Sequence, residues 1–212
     1  MALINRLDSE LRASTTGLVL FDVLHGYLHP RSEDAQRYLS DNKIIENLQK
    51  LQAAARAVGM SIFYPAGAHA EDGSDSVGRL TSTDQELQPF DISKPIKPPF
   101  SKGSLEASVA AELAPLPGEI VCHKHRWNAF FQTDLELQLR VRGIHTIILA
   151  GGTTEVGISS TAFAARDMDL GLVVVSDACG SFRGENPYFM ARVFPRMGRV
   201  LTVNETLSFI RS

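Results

Sequence analysis

Several residues whose chemistry is useful to an enzyme directly follow strand-like apolar runs. Asp22 follows the first run, Lys124 follows the third, and a Gly-Gly pair opens the segment 151–157 after the fourth. In an open parallel sheet, ligands bind beyond the carboxyl ends of the strands, so we expect these residues to share one edge of the sheet. An acid, a base and a helix N-terminus would meet there, which favours acid–base chemistry on a bound small molecule.

Each of these features also has a purely structural explanation. Asp22 could cap a turn, Lys124 could be an ordinary surface charge, and the Gly-Gly pair could be only a tight turn. Their joint placement favours the functional interpretation. Because the glycines do not follow the G-x-G-x-x-G spacing, the sequence does not predict a dinucleotide-binding loop.

The elements that must position these residues alternate between strand-like and helix-like runs, a pattern typical of a parallel sheet covered by helices. Between residues 81 and 103 the periodicity is lost, and four prolines predict a long loop over one end of the sheet. No repeat or low-complexity tract is present, so residues 1–212 are predicted to form a single domain. The predicted strands are 17–21, 61–64, 120–123, 146–150, 172–176 and 199–202.

Capping signals predict where the helices begin and end. Apolar residues recur at helical spacing over 41–58, with Asp41 as the N-cap. A second helix is predicted to open at Thr133, whose hydroxyl would form a capping box with Glu136. The helix after the fourth strand is predicted to end at Gly171 in a left-handed C-cap.

Composition excludes several classes of partner. The 212 residues include 21 Lys and Arg against 24 Asp and Glu, a formal net charge of −3, so nucleic acid is not an expected partner. No apolar stretch reaches the roughly 18 residues of a membrane span, and no signal-peptide core is present, so no membrane partner is expected. Cys122 and Cys179 lack metal-ligand or redox spacing, which favours the reducing cytoplasm.

Three stretches together resemble the isochorismatase-like hydrolase family, a part of the cysteine hydrolase superfamily that includes nicotinamidases, other amidases and the isochorismatases proper. They are LVLFD at 18–22, KHRWNAF at 124–130 and GGTTEVGISSTA at 151–162. The resemblance implies a three-layer α/β/α sandwich with a six-stranded parallel sheet, and an Asp–Lys–Cys catalytic set. It also implies a small-molecule substrate, no cofactor, and a homo-oligomer, either a dimer or a tetramer.

The sequence departs from the family at the nucleophile. Gly157 stands where most members have the catalytic cysteine, and glycine here resembles the isochorismatases proper. Their reaction hydrolyses a vinyl ether without a covalent intermediate, which would make Asp22 the proton donor and water the nucleophile. Lys124 would bind a substrate carboxylate or order Asp22. The space left by the absent cysteine side chain is expected to admit water or substrate.

Further residues are predicted to contact the substrate, and the sequence predicts no metal site. The nicotinamidase relatives carry an Asp-x-His metal motif after the second strand, but His69, Glu71 and Asp72 lack that spacing here. Arg126 is expected to meet an anionic substrate group. The predicted substrate contacts are Thr153, Thr154, Arg126, Trp127, Tyr27 and His69.

Two alternatives to vinyl-ether hydrolysis remain open. The Asp-x-Gln motif expected of an isochorismatase is Asp22-Val23-Leu24 here, and Thr153 replaces an aromatic residue. The chain could therefore be a C–N hydrolase that uses activated water or an unusual nucleophile. It could also be a catalytically silent relative that only binds a ligand. Cys179 is disfavoured as the nucleophile, because a buried structural role is commoner for cysteine.

Overall fold

The computed structural model describes residues 10–75, 100–182 and 184–212, and it contains a six-stranded sheet. The sheet has the order β4-β3-β2-β5-β6-β7, and every neighbouring pair is parallel. The predicted α/β class with a six-stranded parallel sheet is confirmed. The strands are β1 Leu11–Arg12, β2 Thr16–Phe21, β3 Ser61–Gly67, β4 Ile120–Lys124, β5 Thr146–Gly152, β6 Gly171–Gly180, β7 Arg199–Leu201 and β8 Ile210–Arg211, of which β1 and β8 form a separate parallel pair.

Helices connect the strands of the sheet and cover both of its faces. The α-helices are α1 His25–Leu28, α2 Glu33–Asp41, α3 Ile44–Ala57, α4 Leu135–Val141, α5 Ser159–Asp167, α6 Asn186–Tyr188 and α7 Val203–Phe209. In the part of the chain that the structure describes, 3₁₀ turns lie at Ala111–Leu113 and Phe194–Arg196, and π-helical turns lie at Thr154–Ile158 and Phe189–Val193. None of the helices in the described ranges is both long and apolar enough to span a membrane.

The core forms on both sides of the sheet because successive side chains of a strand point to opposite faces. In β2, Leu18 and Leu20 pack into the cluster that includes residues of α3 and α7. Val19 and Phe21 pack into the second cluster, with residues of α4 and α5. All four side chains are buried, which explains why the strand reads as an unbroken apolar run.

The predicted helix over 41–58 is wrong at its start. Asp41 is the last residue of α2, a separate helix that begins after Ser32, whose hydroxyl accepts a hydrogen bond from the Ala35 N–H. The chain then turns through Lys43 at φ 52°, and α3 begins at Ile44. The apolar periodicity of α3 was visible in the sequence, but the polar α2 buries only Leu39 and left no comparable signal.

The predicted capping box at Thr133 and the C-cap at Gly171 are also wrong. Asp134 is the N-cap of α4, the Thr133 hydroxyl accepts from the Leu135 N–H at 3.3 Å, and Glu136 pairs with Arg140 instead of returning to Thr133. Asp169 takes the left-handed conformation, at φ 57°, in place of Gly171. Gly171 instead begins β6, where an added Cβ would lie 2.5 Å from Thr146 Oγ1, so the close approach of the neighbouring strand requires glycine.

The end of the fifth predicted strand differs from the prediction, and most of the predicted loop cannot be compared with it. The fifth predicted strand, 172–176, continues as far as Gly180, so Asp177 and Cys179 lie within β6 instead of following it. The Asp177 carboxylate accepts from the Val203 N–H at 2.7 Å and so holds the start of α7. Most of the loop predicted over 81–103 lies outside the described residues, which resume at Phe100.

Candidate functional site

The carboxyl ends of β2, β3 and β4 bring Asp22 and Lys124 together, as predicted. Lys124 Nζ lies 2.7 Å from Asp22 Oδ2, and the Gly67 N–H donates to Asp22 Oδ1 at 2.9 Å. Gly67 ends β3 directly beside Lys124 in the sheet. The side chains of Asp22 and Lys124 are only 13% and 7% exposed, so the ion pair is largely withdrawn from water.

The backbone of Asp22 is held in an unusual conformation. Its φ is 44°, in the left-handed region that residues other than glycine seldom adopt. The Asp22 N–H donates to Pro65 O at 2.9 Å, which ties this turn to β3. Strain of this kind persists only where surrounding contacts hold it, and it is concentrated at functional sites.

Burial raises the pKa of Asp22 above that of an ordinary aspartate, since the charged form loses its hydration. The Lys124 ammonium, the Gly67 N–H and the His69 ring act in the opposite direction and stabilise the carboxylate. The pKa of Asp22 therefore moves toward the range in which a carboxyl group can both give and accept a proton at mild pH.

The ring of Phe21 occupies the position that a side chain at Gly157 would need. An ideal Cβ on Gly157 would fall on Phe21 Cε1 and Cζ, closer than two carbon atoms can approach. The same ring also meets Lys124, whose Nζ lies 4.4 Å from the ring centroid. Phe21 therefore contacts Lys124 and fills the space beside Gly157.

This arrangement contradicts the expected open space beside Gly157. Phe21 is 1% exposed and belongs to the core cluster, so neither water nor substrate has room at that point. A signal was present in the sequence: Phe21 alternates with Leu20 and so faces the layer that contains the Gly157 helix. Without the tertiary structure, nothing indicated that the ring would reach Gly157.

The Gly-Gly segment leads into the helix through a cis peptide bond between Gly152 and Thr153 and a π-helical turn over Thr154–Ile158. Thr153 is partly exposed at the start of this turn. Thr154 is fully buried, and its hydroxyl lies 2.7 Å from Asn186 Oδ1 and 3.1 Å from Gly180 O. Two internal partners therefore already use the Thr154 hydroxyl, and its contact with substrate stays a prediction.

Tyr27 brings a polar atom into the interior beside the same segment. Its hydroxyl is buried and has no hydrogen-bond partner among the described residues. A Cβ on Gly152 or on Gly180 would collide with this hydroxyl, so glycine at both positions makes room for the Tyr27 side chain. Burial also raises the pKa of Tyr27 well above that of a free tyrosine, so the phenol keeps its proton.

Glu155, which sequence reasoning did not single out, places a second polar atom in the interior. Its Oε2 atom is buried and, within the described part of the chain, has no hydrogen-bond partner. The charge on Glu155 contributes to the raised pKa of Tyr27. A buried polar atom without a partner costs about 1–3 kcal/mol, so both atoms are suited to meet a ligand.

Of the remaining predicted contacts, His69 interacts with the ion pair, because its charge lowers the pKa of Asp22 and the charge of Lys124 lowers the pKa of His69. Burial lowers the pKa of His69, whereas Asp75 opposes this shift. The Arg126 guanidinium donates to Asp75 O at 2.9 Å and to its neighbour His125 O at 2.6 Å. Trp127 is 54% exposed, so it is a surface residue and not part of the core.

Neither cysteine has the properties of a nucleophile. Cys179 is fully buried with Sγ 3.8 Å from Leu149 O, and burial raises its pKa to about 12. Burial likewise raises the pKa of Cys122 to about 12. Since the thiolate is the reactive species, both thiols are inert in the folded chain at neutral pH.

We therefore expect iodoacetamide at mildly alkaline pH to leave the native chain unlabelled and its turnover unchanged, because neither thiol forms an accessible thiolate. Mass spectrometry of the intact protein measures the label, and the urea-unfolded chain, in which both thiols react, is the control. Inactivation that substrate prevents would contradict this and would identify Cys179 as part of the site.

The sequence is similar to known proteins over almost its whole length. The Isochorismatase domain matches residues 16–205. The chain belongs to the isochorismatase family. It is 33% identical over 205 residues to the isochorismatase family protein YecD of Escherichia coli O157:H7, an alignment that covers 94% of this chain and 98% of that protein. The resemblance inferred from the three stretches is thereby confirmed, and the chain is a hydrolase of this family.

Two further proteins are similar in sequence or in structure. Ureidoacrylate amidohydrolase RutB of Pantoea ananatis (strain LMG 20103) is 30% identical over 141 residues, which cover 64% of this chain and 56% of that enzyme. The solved structure of an isochorismatase family protein from Burkholderia thailandensis matches with a TM-score of 0.73 and 28% identity, covering 92% of this chain and 95% of the other.

Proposed function

We propose that this hydrolase uses water as its nucleophile, with Asp22 as the group that gives and takes the proton, and that its substrates are small vinyl ethers. The observation that carries the proposal is the Phe21 ring, which leaves no room for a nucleophilic side chain at position 157 beside the buried ion pair. A covalent intermediate on a side chain at position 157 is thereby excluded, which supports water as the nucleophile.

In vinyl-ether hydrolysis, Asp22 in its protonated form donates its proton to the enol-ether carbon, and an oxocarbenium ion forms. Water adds to this ion and returns a proton to the Asp22 carboxylate, so the acid is regenerated. The resulting hemiketal separates into a carbonyl compound and an alcohol, with one water molecule consumed. The raised pKa of Asp22 supports this role, since it increases the protonated fraction at a given pH.

Lys124 supports the proton transfer by stabilising the carboxylate that remains after Asp22 has donated its proton. The short Nζ–Oδ2 distance of 2.7 Å and the low exposure of both side chains make this interaction strong. Its positive charge also attracts a carboxylate on the substrate. We therefore propose a small, carboxylated metabolite as the substrate.

The polar atoms along the 151–157 segment would hold the substrate. We assign the Tyr27 hydroxyl as a hydrogen-bond donor to a substrate oxygen, because it is buried, keeps its proton and lacks a protein partner. The Glu155 carboxylate would accept from a substrate hydroxyl or amide. Backbone N–H groups in the first turn of a helix lack intrahelical acceptors, so the turn after Thr153 suits an oxygen that gains charge.

Hydrolysis of a C–N bond is the second candidate, and a specific observation favours it: one relative at 30% identity is a ureidoacrylate amidohydrolase. On such a substrate Asp22 would act in the opposite sense, as a carboxylate that accepts a proton from the attacking water. Lys124 would then stabilise the oxygen that becomes negative in the tetrahedral intermediate.

The pH dependence of kcat/KM separates these two reactions. A general acid works only while protonated, so kcat/KM on a vinyl ether should fall as pH rises through the pKa of Asp22, which lies above its ordinary value. A general base works only as the carboxylate, so kcat/KM on an amide should rise over the same pH range. Steady-state kinetics on a panel of carboxylated vinyl ethers, amides and ureido compounds provides the measurement.

Thermal-shift binding on the same panel supplies the control, because a ligand that binds the folded state raises Tm whether or not it is turned over. Compounds that raise Tm without being hydrolysed at any pH would identify a ligand-binding relative without activity. That result would overturn the proposed hydrolysis.

A further inference from the structure

Three potential metal ligands meet beside the Asp22–Lys124 pair. They come from the turn after β3, which carries His69 and Asp75, and from His125 at the end of β4. One ligand atom from each of the three lies within 4.8 Å of the other two. His125 Nδ1 is 2.8 Å from Asp75 Oδ2, and His69 Nδ1 is 3.5 Å from Asp75 Oδ1, so one carboxylate oxygen faces each ring.

Hydrogen bonds of the surrounding backbone hold two of the three residues, His69 and Asp75, in place. The Ala70 N–H donates to Asp75 Oδ1 at 3.0 Å. His69 is fixed on both sides of its peptide, since its N–H donates to Phe100 O at 3.0 Å and its carbonyl accepts from Lys102 N at 2.7 Å. Support of this kind orients the ligands of metal sites and tunes their affinity.

The ion pairs of Asp75 with His69 and His125 do not explain why His69 Nδ1 is buried. His69 Nδ1 is buried, yet it makes no hydrogen bond with any residue in the described ranges, although Asp75 Oδ1 is only 3.5 Å away. A buried ring nitrogen without a partner costs free energy unless another group meets its lone pair. A cation placed between the three side chains would meet it and would use both oxygens of Asp75.

We propose that His69, Asp75 and His125 form a binding site for a divalent transition metal ion such as Zn²⁺. Two imidazoles and one carboxylate suit zinc and its neighbours in the first row, and they leave coordination positions open. The ligand set differs from the Asp-x-His motif of the nicotinamidases, because glycine occupies position 67 and His125 comes from the strand end that carries Lys124.

The position of the cluster indicates what an ion there would contribute. His125 follows Lys124 directly, and the charge of His69 affects the pKa of Asp22. An ion with an open position would bind an oxygen or nitrogen atom of a molecule held at the ion pair, or a water molecule whose pKa it lowers. The binding site itself does not depend on which bond the hydrolase cleaves.

The test is titration of the EDTA-treated, dialysed protein with Co²⁺, followed by its visible absorption, and then displacement of Co²⁺ by Zn²⁺. We expect one equivalent of each ion to bind at micromolar protein concentration. His125→Ala and Asp75→Asn each remove a ligand and should weaken Zn²⁺ binding by at least about tenfold. Asparagine at position 75 keeps the oxygen that accepts from the Ala70 N–H.

His123→Ala is the matched control, because His123 is exposed in β4, two residues before His125, and does not belong to the cluster. This variant should bind both ions as the parent does. Absence of stoichiometric binding by the parent, or unchanged affinity in His125→Ala, would overturn the proposal. Because the readout is binding and not turnover, its failure is distinguishable from a failure of the proposed function. Should Asp75→Asn not fold, His125→Ala decides the question.

Discussion

Asp22→Asn should lower kcat on the best substrate of the panel by about 10²–10⁴-fold, the range that general acid–base catalysis usually contributes. Asparagine keeps the shape of the side chain and can still accept from the Gly67 N–H, but it can neither donate nor take up the proton that the reaction needs. The variant also leaves the Lys124 ammonium without its partner, and breaking a buried pair of this kind typically costs about 3–5 kcal/mol. Kinetics should therefore be measured well below the Tm of the variant.

Asp169→Asn provides a closely matched control for this substitution. Both aspartates adopt a positive φ, 44° at Asp22 and 57° at Asp169, a conformation that asparagine tolerates. The Asp169 carboxylate, in contrast, is 95% exposed. We expect the control to retain parental turnover and nearly parental Tm. Near-parental turnover by Asp22→Asn itself, with circular dichroism confirming the fold, would exclude Asp22 as the proton donor or acceptor.

Gly157→Ala should destabilise the chain by about 1–3 kcal/mol, although alanine normally favours a helix over glycine. The added methyl group would fall on the Phe21 ring, which is fully enclosed by the core and cannot move aside freely. For a chain of this size, each kcal/mol lowers Tm by roughly 2–4 °C. A displaced ring would also disturb Lys124, whose Nζ packs on its face, so turnover should fall as well.

A double-mutant cycle with Phe21→Leu tests the physical cause, because leucine lacks the ring atoms Cε1 and Cζ that the methyl group would meet. The double variant should be more stable than the sum of the single effects, with a coupling of about 0.5–3 kcal/mol. Gly67→Ala is the control for adding a Cβ near the site, since its nearest neighbours would lie at an ordinary 3.5 Å. Additive effects of the two substitutions would show that Phe21 does not restrict position 157.

The Phe21 contact also changes what a cysteine at position 157 would do. From the sequence, one substitution separates this chain from the Asp–Lys–Cys arrangement that the resemblance implies. In the structure two substitutions are needed, because a cysteine side chain at position 157 fits only if Phe21 is also replaced by a smaller residue. We conclude that Gly157 and Phe21 form a packed pair, and that the packing of the core excludes a cysteine side chain at position 157.

Much of the fold was predictable because it depends on local patterns. The unbroken apolar run of β2 marks a strand buried on both faces, and alternation with the periodic α3 indicates a parallel sheet. The polar α2 was missed because it buries too little to leave a periodic signal. The capping box at Thr133 failed because Asp134, and not Thr133, is the N-cap of α4, and because the Glu136 side chain pairs with Arg140.

The sequence by itself determined that Asp22 and Lys124 share one edge of the sheet, since both end parallel strands and such ends must lie on the same side. Only the tertiary structure decided what surrounds them. The strand order places β3 between β2 and β4 and so brings Asp75 to His125, 50 positions away in the chain. Likewise, the contact of Phe21 with Gly157 depends on how the helical segment that contains Gly157 packs against the sheet. Periodicity records which face of an element is buried, whereas distances between elements arise from packing of the whole core.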